Sequence, residues 1–213
     1  MLNAERFADD AGYRDLLAHL PPGTAAEVDE AMGQPHRRYH TRWHLGRMWR
    51  LHREQGRDAW SESLMWAIAY HDIVYEAENA PKRNEFESAA CFLRAAHTGG
   101  LGLEAAARIT GWILASADHL GAGTFIAPDG DPVGTWFLDL DLEPLASEAF
   151  TDNTALIREE FRHVPDEAFK HGRSAFLAGI LEHPAIFRTD AAARLGWEAA
   201  ARRNIVEALL PRP

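Results

Sequence analysis

The stretch that decides the fold class is Leu64-Met65-Trp66-Ala67-Ile68-Ala69-Tyr70-His71-Asp72. Its spacing predicts a helix over residues 61–75, with one side formed by Leu64, Ile68, His71 and Tyr75. A histidine and an aspartate at the end of such a run are costly to bury, because an ion taken out of water needs a partner to offset the loss. A divalent metal is one such partner, since it binds imidazole nitrogen and carboxylate oxygen together. The doublet therefore predicts further ligands elsewhere in the chain.

Most of the remaining chain is also periodic at the helical interval, with almost no alternating strand pattern. Glycines and prolines separate the segments, and the clearest loop covers residues 121–132. Asn84, with Glu87 three positions on, resembles a capping arrangement at a helix start. Helices are therefore predicted over residues 2–20, 25–32, 40–54, 61–75, 84–97, 103–119, 133–146, 151–163, 166–182 and 190–210. We predict a single all-α domain over residues 1–213.

The composition is that of a soluble globular protein, with 46% hydrophobic and 25% charged residues in a chain of 213. A net charge of −10 without a basic stripe argues against binding to duplex nucleic acid. No apolar stretch approaches the roughly 18 residues that cross a bilayer, and the first residues lack the order of a signal peptide. Cys91 is alone, so no internal disulfide can form. These features predict a cytoplasmic protein that does not act at membranes.

Two histidines upstream of the doublet have the spacing of a metal site. His40 and His44 are four residues apart, so on a helix they share a face and could bind one ion together. The zinc-protease signature has glutamate directly after the first histidine, whereas Thr41 stands here. A protease of that class is therefore a poor interpretation.

Two aspartates interrupt an apolar run downstream, which reads Trp136-Phe137-Leu138-Asp139-Leu140-Asp141-Leu142-Glu143. On a helix Asp139 and Asp141 point about 200° apart, so only one of them faces the core. Asp141 shares a stripe with three leucines, Leu138, Leu142 and Leu145. We therefore expect Asp141 to face inward as a metal ligand. Asp139 is expected to orient Asp141, or to be the ligand in its place.

The order His44, then His71-Asp72, then Asp141 resembles the HD superfamily of metal-dependent phosphohydrolases. The likeness covers roughly residues 36–145, and helices over residues 151–210 continue beyond it, as in a small bacterial group of stand-alone HD-domain proteins. The stretches that carry it besides the Asp139-Leu140-Asp141-Leu142 run are Tyr39-His40-Thr41-Arg42-Trp43-His44-Leu45-Gly46-Arg47-Met48, Ala69-Tyr70-His71-Asp72-Ile73-Val74-Tyr75 and Asn84-Glu85-Phe86-Glu87-Ser88-Ala89. Two positions depart from the family pattern. Tyr75 stands where several nucleotide-cleaving members carry an acid, and Leu142 stands where a basic residue usually follows the last acid.

The resemblance implies an all-α helical bundle of the HD-domain type, with C-terminal helices packed on a metal-site core. It implies one divalent ion (Mn, Mg, Fe, Ni, Co or Zn) with the ligands His44, His71, Asp72 and Asp141, or Asp139 in place of Asp141. The implied reaction is hydrolysis of a small phosphorylated molecule, such as a nucleotide, by a metal-activated water.

Further residues are assigned to the same expected site. Asp72 and His119 are the expected catalytic residues, with His119 protonating the leaving oxygen or holding a second ion. His40, Arg47 and Glu85 are expected to contact the substrate. By contrast, the C-terminal basic residues are interpreted as solvated helix positions, namely Arg158, Lys170 and Arg173.

Two other functions stay open at this point. One is a non-catalytic HD-fold sensor that binds a ligand. The other is a diiron HD-fold oxygenase, for which His40 and His119 would supply additional ligands. The chain could also form a homodimer.

Overall fold

The computed structural model describes residues 2–121 and 130–210, and over these ranges it contains eleven α-helices and no β-strand. The all-α prediction is therefore confirmed. The helices are α1 Leu2–His19, α2 Pro22–Met32, α3 Arg42–Glu54, α4 Ser61–Tyr70, α5 Arg83–Thr98, α6 Leu103–Ala115, α7 Pro132–Leu142, α8 Phe150–Glu160, α9 Asp166–Glu182, α10 Asp190–Arg194 and α11 Trp197–Leu209. Within the described part of the chain, no helix combines the length with the apolar character that a membrane span requires.

Helix α4 lies at the centre of the fold. Its residues from Leu64 to Tyr70 are all buried, and the helix packs against α3, α5, α6 and α7. A helix that is apolar on all sides must be covered on all sides, which explains why this run lacks a polar face. The His71-Asp72 doublet is therefore held at the end of a helix that other helices enclose.

Helices α1 and α3 approach each other closely at two glycines. A Cβ atom at Gly46 would overlap the main-chain carbonyl of Asp9, and a Cβ at Gly12 would overlap the carbonyl of Gly46. Only glycine lets two backbones come this near. This contact sets the position of α3, which carries His44 in its first turn.

The C-terminal helices share one hydrophobic core with the N-terminal ones. Side chains of α8, α9 and α11 pack into the cluster that contains α4, among them Phe150, Leu177, Ile180, Trp197 and Ile205. The helix predicted over residues 190–210 is interrupted, because Gly196 adopts a φ of 72° in the left-handed region between α10 and α11. The break turns α11 back onto α9.

Helix α4 ends at Tyr70, so the helix predicted over residues 61–75 is too long. The Arg37 guanidinium donates to the main-chain carbonyls of Asp72 at 2.8 Å and of Ile73 at 3.0 Å. The hydroxyl of Ser88 accepts from the N–H of Val74 at 3.1 Å. These contacts satisfy backbone groups that a longer helix would have paired internally. Side chains from distant segments therefore decide where the helix stops.

The capping arrangement predicted at Asn84 is wrong. Helix α5 begins at Arg83, so Asn84 lies inside its first turn. The Asn84 side-chain oxygen accepts instead from the Asn79 amide at 2.6 Å and from the N–H of Glu76 at 3.2 Å. Asn84 therefore ties the preceding loop to the helix.

Helices α6 and α7 are both shorter than predicted. Helix α6 ends at Ala115 and α7 ends at Leu142, and a single 3-10 turn follows each of them. Most of the loop predicted over residues 121–132 lies outside the described residues, which resume at Gly130. Asp131 then caps α7 by accepting from the N–H groups of Val133 and Gly134.

Candidate metal centre

His71 follows the last residue of α4 and is 1% exposed. Its Nδ1 lies 3.0 Å from the carbonyl oxygen of Ile68, and because a carbonyl only accepts, Nδ1 carries the hydrogen. In the neutral ring Nε2 then presents a lone pair to the surrounding side chains. This is the form of imidazole that binds a metal through Nε2.

His44 reaches the same point from the first turn of α3. Its Nε2 lies 3.2 Å from His71 Nε2 and 3.0 Å from Asp141 Oδ1. The two histidines are separated by 27 residues in the chain, so the packing of α3 against α4 brings them together.

Asp72 completes the group from the turn after α4. Its Oδ2 lies 3.1 Å from His71 Nε2 and 3.8 Å from His44 Nε2. The hydrogen bond that its main-chain carbonyl accepts from Arg37 holds this turn in place. His44, His71 and Asp72 thus form a group that could hold a metal ion.

Asp141 contacts imidazoles with both of its carboxylate oxygens. Its Oδ1 faces His44 at 3.0 Å and His71 Nε2 at 3.5 Å, while Oδ2 accepts from His119 Nε2 at 2.7 Å. His119 lies just after the 3-10 turn Ser116–Asp118 that follows α6. The structure therefore brings Asp141 and His119 to the cluster built by α3 and α4.

The electrostatics of this cluster favour a cation. Burial alone would lower the pKa of His71, but the carboxylates of Asp72 and Asp141 outweigh it and raise that pKa well above its usual value. Burial would raise the pKa of both carboxyls, yet His71 lowers the pKa of Asp72 and holds that of Asp141 well below its usual range. Both carboxylates are therefore ionised in a site with little water.

The interatomic distances fit a set of metal ligands. Ligand atoms about 2.1 Å from one ion lie roughly 3.0–3.4 Å apart when the angles between them are right or tetrahedral. The observed separations are 3.2 Å between the two imidazole Nε2 atoms, 3.0 Å from His44 to Asp141 and 3.1 Å from His71 to Asp72, with longer ones of 3.5 Å from His71 to Asp141 and 3.8 Å from His44 to Asp72. Two nitrogens and two carboxylate oxygens are donors that several divalent transition metals accept.

Asp139 lies away from this cluster, unlike Asp141 of the same helix. Asp139 is 0% exposed, and the Asp141 side chain, 12% exposed, contacts the buried imidazoles, so the prediction that only one of the two acids faces the interior is wrong. The Asp139 carboxylate accepts from the N–H groups of Arg188 and Thr189 and from the Thr189 hydroxyl, at 2.6–3.2 Å. These contacts place Asp139 neither beside the two imidazoles nor in a position to orient Asp141.

His40 is held at the cavity wall by two contacts. Its Nδ1 lies 2.8 Å from Glu160 Oε2, and its ring stacks on Tyr75 with centroids 4.0 Å apart. Glu160 also accepts from the N–H groups of Arg38, Tyr39 and His40 and from the Tyr75 hydroxyl. Burial would raise the pKa of Glu160, but these hydrogen bonds, led by that of His40, lower it to about 2.

Arg47 does not point into the same cavity. Its guanidinium pairs with both carboxylate oxygens of Glu143, at 2.6 and 2.8 Å, and also donates to the Ser147 hydroxyl. With His44 it lines a separate small cavity of about 60 Å³. The structure therefore does not place Arg47 among the groups that surround Asp72 and His119.

A cavity of about 280 Å³ opens onto the cluster and is lined by Asp72, Asp141, His119, His40 and Glu85. Its size lies near the lower end of the roughly 300–1,000 Å³ typical of small-ligand sites. Glu85 reaches it from the first turn of α5, and its buried Oε2 has no hydrogen-bond partner among the described residues. Burial, together with the negative charges of Asp72 and Asp141, raises the pKa of Glu85.

Sequence reasoning missed four residues that the cavity and its wall depend on: Tyr39, Asn153, Glu160 and Arg173. Only Arg173 has a local pattern that could have indicated it. It lies at helical spacing from Phe169, Phe176 and Ile180, so a charge occupies an otherwise apolar stripe. Glu160 sits beside Glu159 at the end of α8, where acids are usually solvated, and nothing local distinguishes it.

The fold and this site together define an all-helical protein with a candidate metal centre of histidines and aspartates. Comparison with protein-family models, with curated proteins and with solved structures found no match to this chain.

Proposed function

We propose that the protein is a metal-dependent phosphohydrolase that acts on a small phosphorylated molecule. The observation that carries the proposal is the convergence of His44, His71, Asp72 and Asp141 at one end of a cavity of small-molecule size. The resemblance of the His, His-Asp, Asp order to the HD superfamily supports the same function. A centre with these donors leaves positions for water and a phosphate oxygen.

His44, His71, Asp72 and Asp141 are the residues that would hold the ion, which lowers the pKa of its water and neutralises phosphoryl charge. Asp72 and Asp141 line the cavity, whereas His44 and His71 are buried. The phosphoryl group of a substrate would therefore approach from the side of the two carboxylates. The His71 ring is fixed by its hydrogen bond to Ile68, which keeps Nε2 directed at the cluster.

His119 is the candidate general acid. The Asp141 carboxylate accepts from His119 Nε2, which fixes the orientation of the ring. A proton on the other ring nitrogen would be the one that the leaving oxygen receives. His40, fixed between Glu160 and Tyr75, supplies a further hydrogen-bonding group to the same cavity.

The test is a phosphate-release assay with the full chain loaded in turn with Mn²⁺, Mg²⁺, Fe²⁺, Ni²⁺, Co²⁺ and Zn²⁺, over a panel of phosphomonoesters, phosphodiesters and nucleotides. Asp72→Asn should abolish both phosphate release and bound metal. The matched control is Asp118→Asn. Asp118 precedes His119 in the chain, but its carboxylate pairs with Lys82 Nζ at 4.0 Å and is not one of the four expected ligands. No turnover with any ion, despite metal bound at the four residues, would reject the hydrolase.

A diiron oxygenase is the second candidate, and one observation favours it. Asp141 contacts His44 through Oδ1 and His119 through Oδ2, so one carboxylate lies between imidazoles on its two sides. That placement suits a carboxylate shared by two ions. Two irons per chain with oxygen-dependent turnover would support the oxygenase, whereas ligand binding without any turnover would support the sensor.

A further inference from the structure

Arg173 of α9 is a partly buried cation without an acidic partner among the residues that the structure describes. Its Nε is buried and has no hydrogen-bond partner within residues 2–121 and 130–210. The ring of Phe176 lies 5.2 Å from the guanidinium carbon, a contact that offsets part of the lost hydration. Removing a guanidinium from water without a counter-charge is costly, so the position favours an anion from outside the chain.

Arg173 lines the same cavity as Asp72 and Asp141. Two neutral polar side chains line it as well, Tyr39 from the segment before α3 and Asn153 from α8. The structure describes no hydrogen bond for the Tyr39 hydroxyl or the Asn153 amide. The cavity is therefore lined both by carboxylates and imidazoles and by a cation with neutral donors.

Tyr39 lies near both the metal-site residues and Arg173. Its ring centroid is 5.3 Å from that of His44, and after burial the nearby Asp141 is the largest cause that raises the pKa of Tyr39. Burial lowers the pKa of Arg173, and the neighbouring Tyr39 acts in the opposite direction, raising that pKa. The metal-site carboxylates are thus neighbours of Tyr39 but not ion-pair partners of Arg173. The cation is consequently available to a ligand and is not neutralised by the acids of the metal centre.

We propose that Arg173, with the Tyr39 hydroxyl and the Asn153 amide, binds a second anionic group of the substrate, either a phosphate or a carboxylate. This inference rests on the proposed function, because the first anionic group is the phosphoryl group at the metal centre. A guanidinium fork suits both oxyanions, since it can donate two parallel hydrogen bonds. Leu142, Leu145 and Ile157 also line this cavity of about 280 Å³, so a substrate that fits it would have a short and partly apolar linking part.

The experiment uses three probes on one three-carbon chain: 3-hydroxypropyl phosphate, 3-(phosphonooxy)propanoate and propane-1,3-diyl bisphosphate. The full chain is loaded with the metal that supports turnover, and KM and kcat are measured for each probe. Binding is measured separately by calorimetry after chelation, so that it does not depend on catalysis. The variants are Arg173→Gln, Arg173→Lys and the control Lys170→Gln, which removes an exposed charge from the same helix.

The two probes with a second anionic group should bind about ten- to a hundredfold more tightly than the hydroxyl probe. Arg173→Gln should erase that difference, and the change should appear in KM. Arg173→Lys should recover part of it, and Lys170→Gln should change nothing. The two anionic probes distinguish phosphate from carboxylate as the second group. Equal binding of all three probes, or an undiminished preference in Arg173→Gln, would overturn the inference while leaving phosphate release intact. Arg173-dependent binding without any cleavage would instead support the anion site and reject the hydrolase.

Discussion

Asp139 and Asp141 lie two positions apart on α7, and their carboxylates face different parts of the protein. Asp139 is fully buried and accepts from the main chain of Arg188 and Thr189, which fastens the segment before α10 to α7. Asp141 lies in the cavity and contacts His44 and His119. One residue type thus serves structure at one position and the candidate metal centre at the other.

Replacing each of these aspartates by asparagine should separate the two roles. Asp141→Asn should weaken metal binding by about tenfold or more, because it removes a charged donor, and should leave the free energy of unfolding nearly unchanged. Asp139→Asn should keep the metal but lower that free energy by roughly 1–3 kcal/mol, since the amide nitrogen would face at least one buried main-chain N–H that it cannot accept from. Metal content by mass spectrometry and urea unfolding measure the two effects. Equal metal loss in both variants would contradict the division of roles.

Glu160 should contribute stability that depends on pH. Its pKa falls from 4.5 to about 2 on folding, so the contribution is complete above pH 4.5 and disappears as the pH falls through about 2. A shift of this size corresponds to roughly 3 kcal/mol at neutral pH. The free energy of unfolding of Glu160→Gln should therefore lie below that of the natural chain at pH 7, with a difference that shrinks between pH 5 and about 2.

The control for this prediction is Glu159→Gln at the neighbouring position. The Glu159 carboxylate pairs with Arg38 at 3.4 Å but its side chain is 60% exposed, so its loss should cost less than about 1 kcal/mol at any pH. Chemical unfolding of chelator-treated protein at several pH values gives the comparison. A difference for Glu160→Gln that stays constant with pH would show that its carboxylate charge is not responsible.

The close contact between α1 and α3 predicts opposite effects for two glycine substitutions. Gly46→Ala should destabilise the protein by roughly 1–3 kcal/mol or more, because its Cβ would meet the carbonyl of Asp9. Gly111→Ala in α6 adds a Cβ into open space and should stabilise the helix by about 0.5–1 kcal/mol. Thermal unfolding measures both, and a neutral Gly46→Ala would indicate that α1 can move aside without cost.

Divalent metal should stabilise the folded chain through the candidate centre. At a free concentration about 100 times its Kd, a ligand of the folded state adds roughly 2.7 kcal/mol, which for this size of chain raises Tm by about 5–10 °C. The rise should vanish with EDTA and in His44→Gln. His36→Gln is the matched control, because His36 contacts the Tyr75 carbonyl outside the cluster. A metal-dependent rise that persists in His44→Gln would place the ion elsewhere.

His119 should affect turnover more than binding. Replacing it by glutamine removes the candidate general acid, so kcat should fall by about a hundredfold or more while KM changes little. The effect should shrink for substrates with activated leaving groups such as 4-nitrophenol, which need no proton. An equal loss for activated and ordinary esters would argue that His119 acts by holding Asp141 and not as an acid.

Several features of this protein are readable from local sequence. The run from Leu64 to Tyr70 has no polar face, and the structure encloses it on all sides. The order of His44, His71-Asp72 and Asp141 by itself predicts these residues as candidate ligands. Local patterns failed where a distant side chain intervened, as when Arg37 and Ser88 end α4 at Tyr70.

The two aspartates of α7 show the same limit at the site. A helical wheel predicts that only one of the two faces the core, but the packing of α7 against its neighbours encloses both carboxylates. Thr189 lies 50 residues from Asp139 and Glu160 lies 120 residues from His40, so neither contact has a local signature. The same limit applies to Arg173. Its position on an apolar stripe indicates a binding role only when the packing of α9 makes it part of the cavity wall.

The sequence by itself determined the helical class and the residue types able to bind a metal, because periodicity and side-chain chemistry are properties of neighbouring residues. The tertiary structure alone decided which of those residues meet. The Nε2 atoms of His44 and His71, 27 residues apart, and Oδ1 of Asp141, 97 residues from His44, come within 3.5 Å of each other. That convergence follows from the packing of α3, α4 and α7 around one core, since only packing sets distances between residues so far apart in the chain.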